Sequence, residues 1–432
     1  MTPTTIFLAL ALATGAPLPK PAPAEAGWPQ WRGPNRDGIA AEGKLLEEWP
    51  TEGPKLAWKI SDAKAIGTGY GSPAVVGDKM YIFGATGPKK DASEFVTCLN
   101  LKDGSQVWQT SLKTTAGSFS DGWGGGPRST PTVDGDKLYI LGATGDLVCL
   151  EIKKGEMKWQ KNLVKDFGGG IPNWGYSESV LIDGDNLICT PGSKGGMIAL
   201  KKATGETVWQ CKELTDGAGY SSIVVTEVGG VKQYVQQTMA NAIGVKAKDG
   251  KLLWKTGEIK RAVAVIPSPV LGADNLVFFT AGYGAGCECY KLEKDGEGTK
   301  ATKVYSKNSI VQNHHGGVLL VGDHIYGHSD SSGWVCFDYK KGEDVWKDKG
   351  VGKGSVSSAN GFLYCYGEGN GTLALVKATP DKYTEISKFK IPQTSELRAK
   401  NGSGKVWAHP VVANGKLFLR DFELLYVYDI AK

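Results

Sequence analysis

The stretch Cys149-Leu-Glu-Ile-Lys-Lys-Gly155-Glu-Met-Lys-Trp159 ends on a tryptophan that follows a glycine by four residues. The same phrase recurs along the chain, at residues 98–108, 198–209, 244–254 and 336–346, and it weakens toward Tyr305 and Phe389. Because it returns about every 40 to 50 residues, the chain is an array of one repeated structural unit.

A second phrase alternates with the first and places a Gly-Asp, Asp-Gly or Asn-Gly pair between two apolar, β-branched runs. It is clearest at residues 72–81, 130–139, 179–188 and 409–418. Such pairs tolerate the positive φ of tight hairpin turns. In the first phrase, Lys-Asp-Gly or Lys-Lys-Gly makes another hairpin that ends in the Trp strand. Two hairpins form a four-stranded antiparallel sheet, the unit of a propeller blade.

The two ends of the chain predict a closed ring. Lys55-Leu-Ala-Trp58 supplies a Trp strand with no hairpins before it, while residues 408–430 supply hairpins with no Trp strand after them. We therefore predict an all-β fold, an eight-bladed β-propeller whose terminal strands share one blade, with seven blades as the alternative. The outer strands are marked by Trp58, Trp108, Trp159, Trp209, Trp254, Tyr305, Trp346 and Phe389.

The recurrent tryptophans are best interpreted as structural. A large indole at the same position of each repeat can pack between neighbouring blades and bury roughly 150–250 Å². We expect this blade-docking role, rather than ligand binding, for Trp58, Trp108, Trp159, Trp209, Trp254 and Trp346.

The N-terminus predicts export. The only long apolar stretch, residues 6–13, is too short to span a bilayer and precedes a Pro/Ala-rich segment. We interpret residues 1–26 as a signal peptide with that segment, 27–53 as an N-terminal extension and 54–432 as one propeller domain; a disordered tail is the alternative for the first part. No cysteine follows before Cys98, so a soluble periplasmic or secreted protein is expected.

The charge distribution does not indicate a particular class of partner. The chain has 50 basic and 45 acidic residues spread along its length, without a basic run that would indicate nucleic-acid binding. We expect no nucleic-acid partner, no transmembrane span in the mature chain, and a monomer.

The Trp-ending phrases resemble the repeat of pyrroloquinoline-quinone-dependent alcohol dehydrogenases, Ala-x-Asp-x-x-Thr-Gly-x-x-x-Trp, and that of BamB-type outer-membrane assembly factors. Thr204, Gly205 and Trp209 match this repeat best, and Asp338 stands at its Asp position, whereas Lys201 and Lys246 depart from it. The opening segment, residues 28–38, is also similar to the start of exported propellers with no assigned reaction.

The dehydrogenase resemblance implies a quinone on the propeller axis, between a tryptophan and a disulfide of adjacent cysteines, with Ca²⁺ and a catalytic Asp. This chain has no adjacent Cys-Cys pair; Cys287 and Cys289 are separated by Glu288. Pairing of Cys287 with Cys289 or Cys211 stays open in an exported chain. Most of the cysteines stand at repeat positions typical of small core residues.

One alignment column predicts a ligand site at the mouth of the axial channel. Residues entering the innermost strands differ from repeat to repeat: Tyr70, Arg128, Ser177, Tyr220, Ile266, His315, Lys353 and Trp407. Neighbouring positions add Trp174, Tyr176, Glu178, His314 and His409. This mixture of aromatics and cations suits a flat or anionic ligand. The structural alternative is an Arg128–Glu178 ion pair, aromatics packed between blades and histidines bonded to backbone carbonyls.

Catalytic and metal motifs are missing from the sequence. The pair His314-His315 lacks acidic or histidine partners at ligand spacing, so we predict no metal site. The leading hypothesis is a non-catalytic binding or assembly propeller in the cell envelope with a protein or small-molecule ligand. A quinoprotein dehydrogenase acting on an alcohol or sugar, with pyrroloquinoline quinone and Ca²⁺, is the first alternative. Carbohydrate or polymer recognition by Trp123, Trp174 and Trp407 is the second.

Overall fold

The chain folds into eight antiparallel sheets arranged in a ring, as seen in a computed structural model that describes residues 27–87, 89–257, 259–307, 310–400 and 404–432. Each sheet contains four strands of the ring, so the prediction of an eight-bladed propeller is confirmed and the seven-bladed alternative is wrong. The predicted signal peptide lies outside the described residues. No helix within the described ranges is long and apolar enough to cross a membrane.

Each blade is one sheet, and its strands follow from the axis outward in chain order. Blade 1 comprises Ala74–Val76, Lys79–Ala85, Glu94–Asn100 and Gln106–Ser111, and blade 2 comprises Thr132–Asp134, Lys137–Leu141, Asp146–Glu151 and Met157–Asn162. Blade 3 comprises Leu181–Asp183, Asn186–Cys189, Met197–Lys201 and Thr207–Cys211, and blade 4 comprises Val224–Val228, Val231–Gln237, Ala242–Lys246 and Leu252–Thr256. Blade 5 comprises Val270–Leu271, Leu276–Ala281, Gly286–Asp295 and Gly298–Lys307, and blade 6 comprises Val318–Val321, His324–Ser329, Gly333–Asp338 and Glu343–Asp348. Blade 7 comprises Gly354–Ala359, Phe362–Gly367, Thr372–Lys377 and Glu385–Lys390.

Blade 8 joins the two ends of the chain. Its inner strands are Val411–Ala413, Lys416–Asp421 and Leu424–Asp429, and its outermost strand is Lys55–Ile60 from the N-terminal side. Trp58 stands opposite Val427 in this antiparallel pairing. Short helices at Ala63–Ile66, Leu163–Phe167 and Glu396–Lys400 and 3₁₀ turns at Ser193–Gly195 and Ala273–Asn275 lie between strands.

The glycine and tryptophan of the first phrase meet across blade boundaries. The Trp108 indole of blade 1 lies over Gly155 of blade 2, where an added Cβ would stand 2.6 Å from the ring, and its Nε1 donates to the Ile152 carbonyl. Equivalent Nε1 bonds to the next blade run from Trp58 to Leu101, Trp159 to Lys202, Trp209 to Ala247 and Trp346 to Thr379. Trp254 differs, because its Nε1 donates to Gln233 in its own blade.

The N-terminal extension does not stay on the outside of the ring. Gly27–Trp28 pairs antiparallel with the innermost strand of blade 1, and Ile39–Ala40 pairs parallel with the innermost strand of blade 7. Since innermost strands border the axis, the residues between these two short strands lie inside the channel. The chain then reaches the C-terminus, where Leu46 N donates to the Ile430 carbonyl, before it enters blade 8.

Candidate functional site

An aromatic pocket opens at one mouth of the channel, where the connections into the innermost strands converge. Its empty volume, including the open mouth, is about 950 Å³. The described residues that line it are Trp31, Tyr70, Trp123, Arg128, Trp174, Ser177, Tyr220, Ser222, Ala264, Ile266, Tyr283, His314, His315, Trp407 and His409.

Most of the residues predicted for the channel mouth come together here. The pocket includes Tyr70, Arg128, Trp174, Tyr220, His314, His315, Trp407 and His409. Three others, Tyr176, Glu178 and Lys353, are not among its lining residues. Tyr176 is buried and donates its hydroxyl to the Pro191 carbonyl, and Lys353 forms an ion pair of 2.8 Å with Asp330.

Glu178 lies buried beneath the pocket rather than in it. Its Oε2 accepts a hydrogen bond of 2.9 Å from the Thr190 amide, and burial raises the pKa of Glu178 to about 8. The basic side chain that acts on it electrostatically is Arg36 of the N-terminal extension. The suggested Arg128–Glu178 pair is therefore not the arrangement found.

Arg128 supplies positive charge to the pocket. Its guanidinium lies 5.2 Å from the centre of the Tyr70 ring and donates to the carbonyls of Gly124 and Gly126. Burial lowers the pKa of Arg128. Among the described lining residues none is a carboxylate, so this cation is held by a ring face and neutral carbonyls and is available to an anionic or electron-rich ligand.

Aromatic rings form the walls. Trp407 stands 5.2 Å from Tyr70 and 6.2 Å from Trp123 between ring centroids, and Trp174 stands 5.9 Å from Tyr220. The Tyr70 hydroxyl donates to the Trp123 carbonyl at 2.6 Å, which ties the connection before blade 2 to the wall. Because these rings are already held in place, a ligand that binds to their apolar surface loses little affinity to the ordering of side chains.

The rim of the pocket carries exposed apolar groups on a strained backbone. Trp123 and Tyr283, which line the pocket, are 43% and 49% exposed, and Val263, next to the lining residue Ala264, is 48% exposed. Val263 and Tyr283 also adopt positive φ, 61° and 57°, which is uncommon outside glycine and a genuine outlier for a β-branched residue. Strain of this kind costs on the order of 1–3 kcal/mol and clusters at ligand clamps and active sites.

The three histidines of the pocket have lowered pKa values. Burial lowers the pKa of His314 to about 4 and of His409 to about 3, and it lowers the pKa of His315 well below its usual value. His314 Nε2 is 3.0 Å from the Tyr283 hydroxyl, and His409 Nε2 is 2.9 Å from the His315 carbonyl. Within the described ranges, no group of three or more His, Cys, Asp and Glu side chains is placed to hold a metal ion.

Sequence reasoning missed the floor of the pocket and part of its rim. Trp31, from the extension, donates its Nε1 to Ser268 Oγ at 3.1 Å and meets the His409 ring edge-on at 4.6 Å. Ser222, Ala264 and Tyr283 were also absent from the predicted set. Trp31 stands outside the repeats and has no counterpart to align with, whereas Tyr283 lies in the turn between two strands of blade 5 and not at the entrance of an innermost strand.

The eight cysteines are free and buried within the blades. Cys287 and Cys289 both lie in the core between blades 5 and 6, with Phe278, Val311 and Phe337 among their neighbours. Neither lines the pocket. The sulfur platform that the dehydrogenase resemblance implies is therefore not found at this channel mouth.

Comparisons with known proteins point to one family. A family model described as outer membrane protein assembly factor BamB matches residues 92–348. The BamB of Burkholderia pseudomallei is 24% identical over 290 residues, which cover 64% of this chain and 69% of that protein.

Two solved structures share the fold at low identity. BamB from Moraxella catarrhalis superposes with a TM-score of 0.60 at 14% identity, covering 87% of this chain and 97% of that one. Quinohemoprotein alcohol dehydrogenase from Comamonas testosteroni gives a TM-score of 0.61 at 11% identity, covering 93% and 80%. These two likenesses show the propeller fold and no more.

Proposed function

Because the chain belongs to the family of the outer membrane protein assembly factor BamB, we propose that it is a binding propeller for assembly in the cell envelope and that its ligand docks at the aromatic channel mouth. The observation that carries the proposal is the pocket itself. Trp, Tyr and Arg are the residue types that dominate binding hot spots, and here Trp407 and Arg128 both contact Tyr70 at one opening.

The chemistry of the lining selects the ligand. A planar group can lie against the indole and phenol rings, and an acceptor or negative charge on it can meet the Arg128 guanidinium. The neutral histidines add hydrogen-bonding capacity without adding charge. We propose no reaction for this site, since its role is to hold a group presented by a protein or small molecule.

A calcium-bound quinone fits these residues poorly. Ca²⁺ takes six to eight oxygen ligands, mostly carboxylates and carbonyls, and the described lining has no carboxylate or side-chain amide. Glu368, next to the pocket, already accepts from Trp407 Nε1 at 2.9 Å. Carbohydrate recognition, which the exposed Trp123 would favour, is the weaker alternative because the described lining has no carboxylate or side-chain amide to bind pairs of sugar hydroxyls.

We further propose a periplasmic or secreted location through a signal peptide in residues 1–26, an extension over 27–53, a propeller domain over 54–432 and a monomeric state. The matched family supports the envelope location.

Photo-crosslinking tests the docking site directly. Tyr283, at the rim, and Val345, on the outer strand of blade 6, are both exposed apolar residues, so p-benzoylphenylalanine at either position is a matched pair. We expect one defined envelope protein to crosslink from position 283, with no equivalent product from 345, and Arg128→Gln to reduce that product. Equal labelling from both positions, or none, would refute the proposed site.

A titration separates the alternatives. Pyrroloquinoline quinone with Ca²⁺ should show no calcium-dependent binding to the purified protein, followed by tryptophan fluorescence. Saturable, calcium-dependent binding that is lost in both Arg128→Ala and Trp407→Ala would replace our proposal with the dehydrogenase.

A further inference from the structure

The channel of this propeller is filled by its own N-terminal extension. Besides pairing with blades 1 and 7, the extension accepts a hydrogen bond from Val133 of blade 2 at the Pro29 carbonyl, and Ser358 of blade 7 donates to the Gly38 carbonyl. Trp31 contacts Ser268 and His409 at the entrances of blades 5 and 8. We call residues 28–38 the axial segment.

Two arginines fix the axial segment to the remaining blades. Arg36 donates to the carbonyls of Ser179 and Val180 in blade 3 and of Ile223 at the entrance of blade 4, at 2.7 to 3.1 Å. Arg32 donates to the Val318 carbonyl of blade 6 at 2.5 Å and to the Asp37 carbonyl within the segment at 2.8 Å. The segment thus reaches all eight blades.

These contacts are buried and built into the local backbone. Arg32 and Arg36 are 4% and 5% exposed, and burial lowers the pKa of each to about 10, so both stay charged at neutral pH. Both also adopt positive φ, 60° and 58°. A left-handed conformation is unfavourable for an L-residue, and the charge-assisted hydrogen bonds to buried carbonyls offset that cost.

We infer that the axial segment is a plug that closes the channel and completes the ligand site. Trp31 forms the floor of the aromatic pocket, so the pocket is blind and admits a ligand from one face of the ring. The partner therefore inserts a short planar group and does not pass a chain through the propeller. The statement about how the ligand binds rests on the proposed function, whereas the closure of the channel by the axial segment does not.

Hydrogen exchange tests the plug without any ligand. The amides of Val133 and Ser358 donate to carbonyls of the axial segment, so we expect both to be protected in the full chain. Arg36→Met, which removes the bonds to blades 3 and 4, should speed exchange of the Val133 amide by about tenfold and leave the strand Asp146–Glu151 unchanged. Fast exchange of Val133 and Ser358 in the unaltered protein would overturn the plug.

A binding measurement tests the floor. The probe is 8-anilinonaphthalene-1-sulfonate, an aromatic anion with a planar naphthalene ring system, and the variant is Trp31→Ala. Trp31 is only half-buried, so the variant should fold, and we expect about tenfold weaker probe binding. Trp159→Phe, between blades 2 and 3, is the control and should bind as the unaltered protein does.

Hydrogen exchange and probe binding test different parts of the inference, so one part can be contradicted while the other holds. Unchanged probe affinity in Trp31→Ala would overturn the floor assignment. Absence of probe binding to the unaltered protein would count against the proposed function, while amide protection at Val133 and Ser358 would still support the plug.

Discussion

At the scale of single residues, the burial of Glu94 has a measurable consequence. Its side chain is almost fully buried on the third strand of blade 1, and Oε1 accepts from the Ala143 amide of blade 2 at 3.0 Å. Burial raises the pKa of Glu94 to about 7, with Asp146 adding in the same direction. The folded protein therefore holds a proton that the unfolded chain releases near pH 4.5.

This difference predicts the pH dependence of stability. As pH rises from about 4.5 to 7, the unfolded chain ionises at Glu94 before the folded one does, so the free energy of unfolding falls. Glu94→Gln should remove this loss and, at pH 8 relative to pH 4, gain on the order of 3 kcal/mol over the unaltered protein. Urea unfolding at several pH values measures the effect, and the exposed Glu343→Gln is the control. Parallel curves for both variants would contradict it.

Strand geometry explains which of the residues predicted for the site line the pocket. Tyr70, Arg128, Tyr220 and Trp407 were found because aligned repeats place them in one column. Tyr176 and Glu178 do not line the pocket, because they flank Ser177, which does, and neighbouring residues of an extended chain point to opposite sides. His314 and His315 both reach the pocket because they lie in a connection and not in a strand.

At the scale of elements, most blade boundaries are organised by one glycine and one aromatic ring. Gly155 has φ 72° and Gly205 has φ 72°, and each receives the indole of the preceding blade. The unit tolerates variation: Tyr305 replaces tryptophan, packs on Gly342 and donates its hydroxyl to the Tyr339 carbonyl at 2.6 Å. The spacing of glycine and tryptophan therefore reports an interaction between blades, which is why it could reveal the fold.

Gly155→Ala tests this unit against a matched control in the same blade. Gly135 also has positive φ, 57°, but has no atom within 4 Å of an added Cβ. Gly135→Ala should cost only the backbone strain, roughly 1 kcal/mol. Gly155→Ala should cost about 1–3 kcal/mol more, since its Cβ would collide with the Trp108 ring. Equal losses in chemical denaturation would show that the ring contact is not important.

The two short strands of the extension could not be predicted from the sequence. Gly27–Trp28 and Ile39–Ala40 are two residues each and belong to no hairpin, so neither periodicity nor turn chemistry marks them. They become strands because the innermost strands of blades 1 and 7 present free backbone groups to the axis. That information resides in the assembled ring and not in the local sequence.

At the scale of the whole molecule, one continuous N-terminal stretch closes the propeller twice. Residues 27–40 join blades across the axis, and Lys55–Ile60 completes blade 8 at the rim. Between them the chain is tied to the C-terminus, with Lys432 N donating to the Lys44 carbonyl. Since most other contacts run between neighbouring blades, these links make opening at one boundary costly at the others as well.

The closing strand should therefore control unfolding of the entire ring. Ile60 packs against the core shared by blades 7, 8 and 1, whereas its neighbour Lys59 is exposed on the other face. Ile60→Asp removes apolar contact and places a carboxylate against that core, so we expect a loss of about 2 kcal/mol. Lys59→Asp, which changes the same strand on its solvent side, should stay within about 0.5 kcal/mol of the unaltered protein. If Ile60→Asp lowers the midpoint of one transition, seen alike by circular dichroism and tryptophan fluorescence, the ring unfolds as a unit from its closure; a second, separate transition would mean that blade 8 opens while the others remain folded.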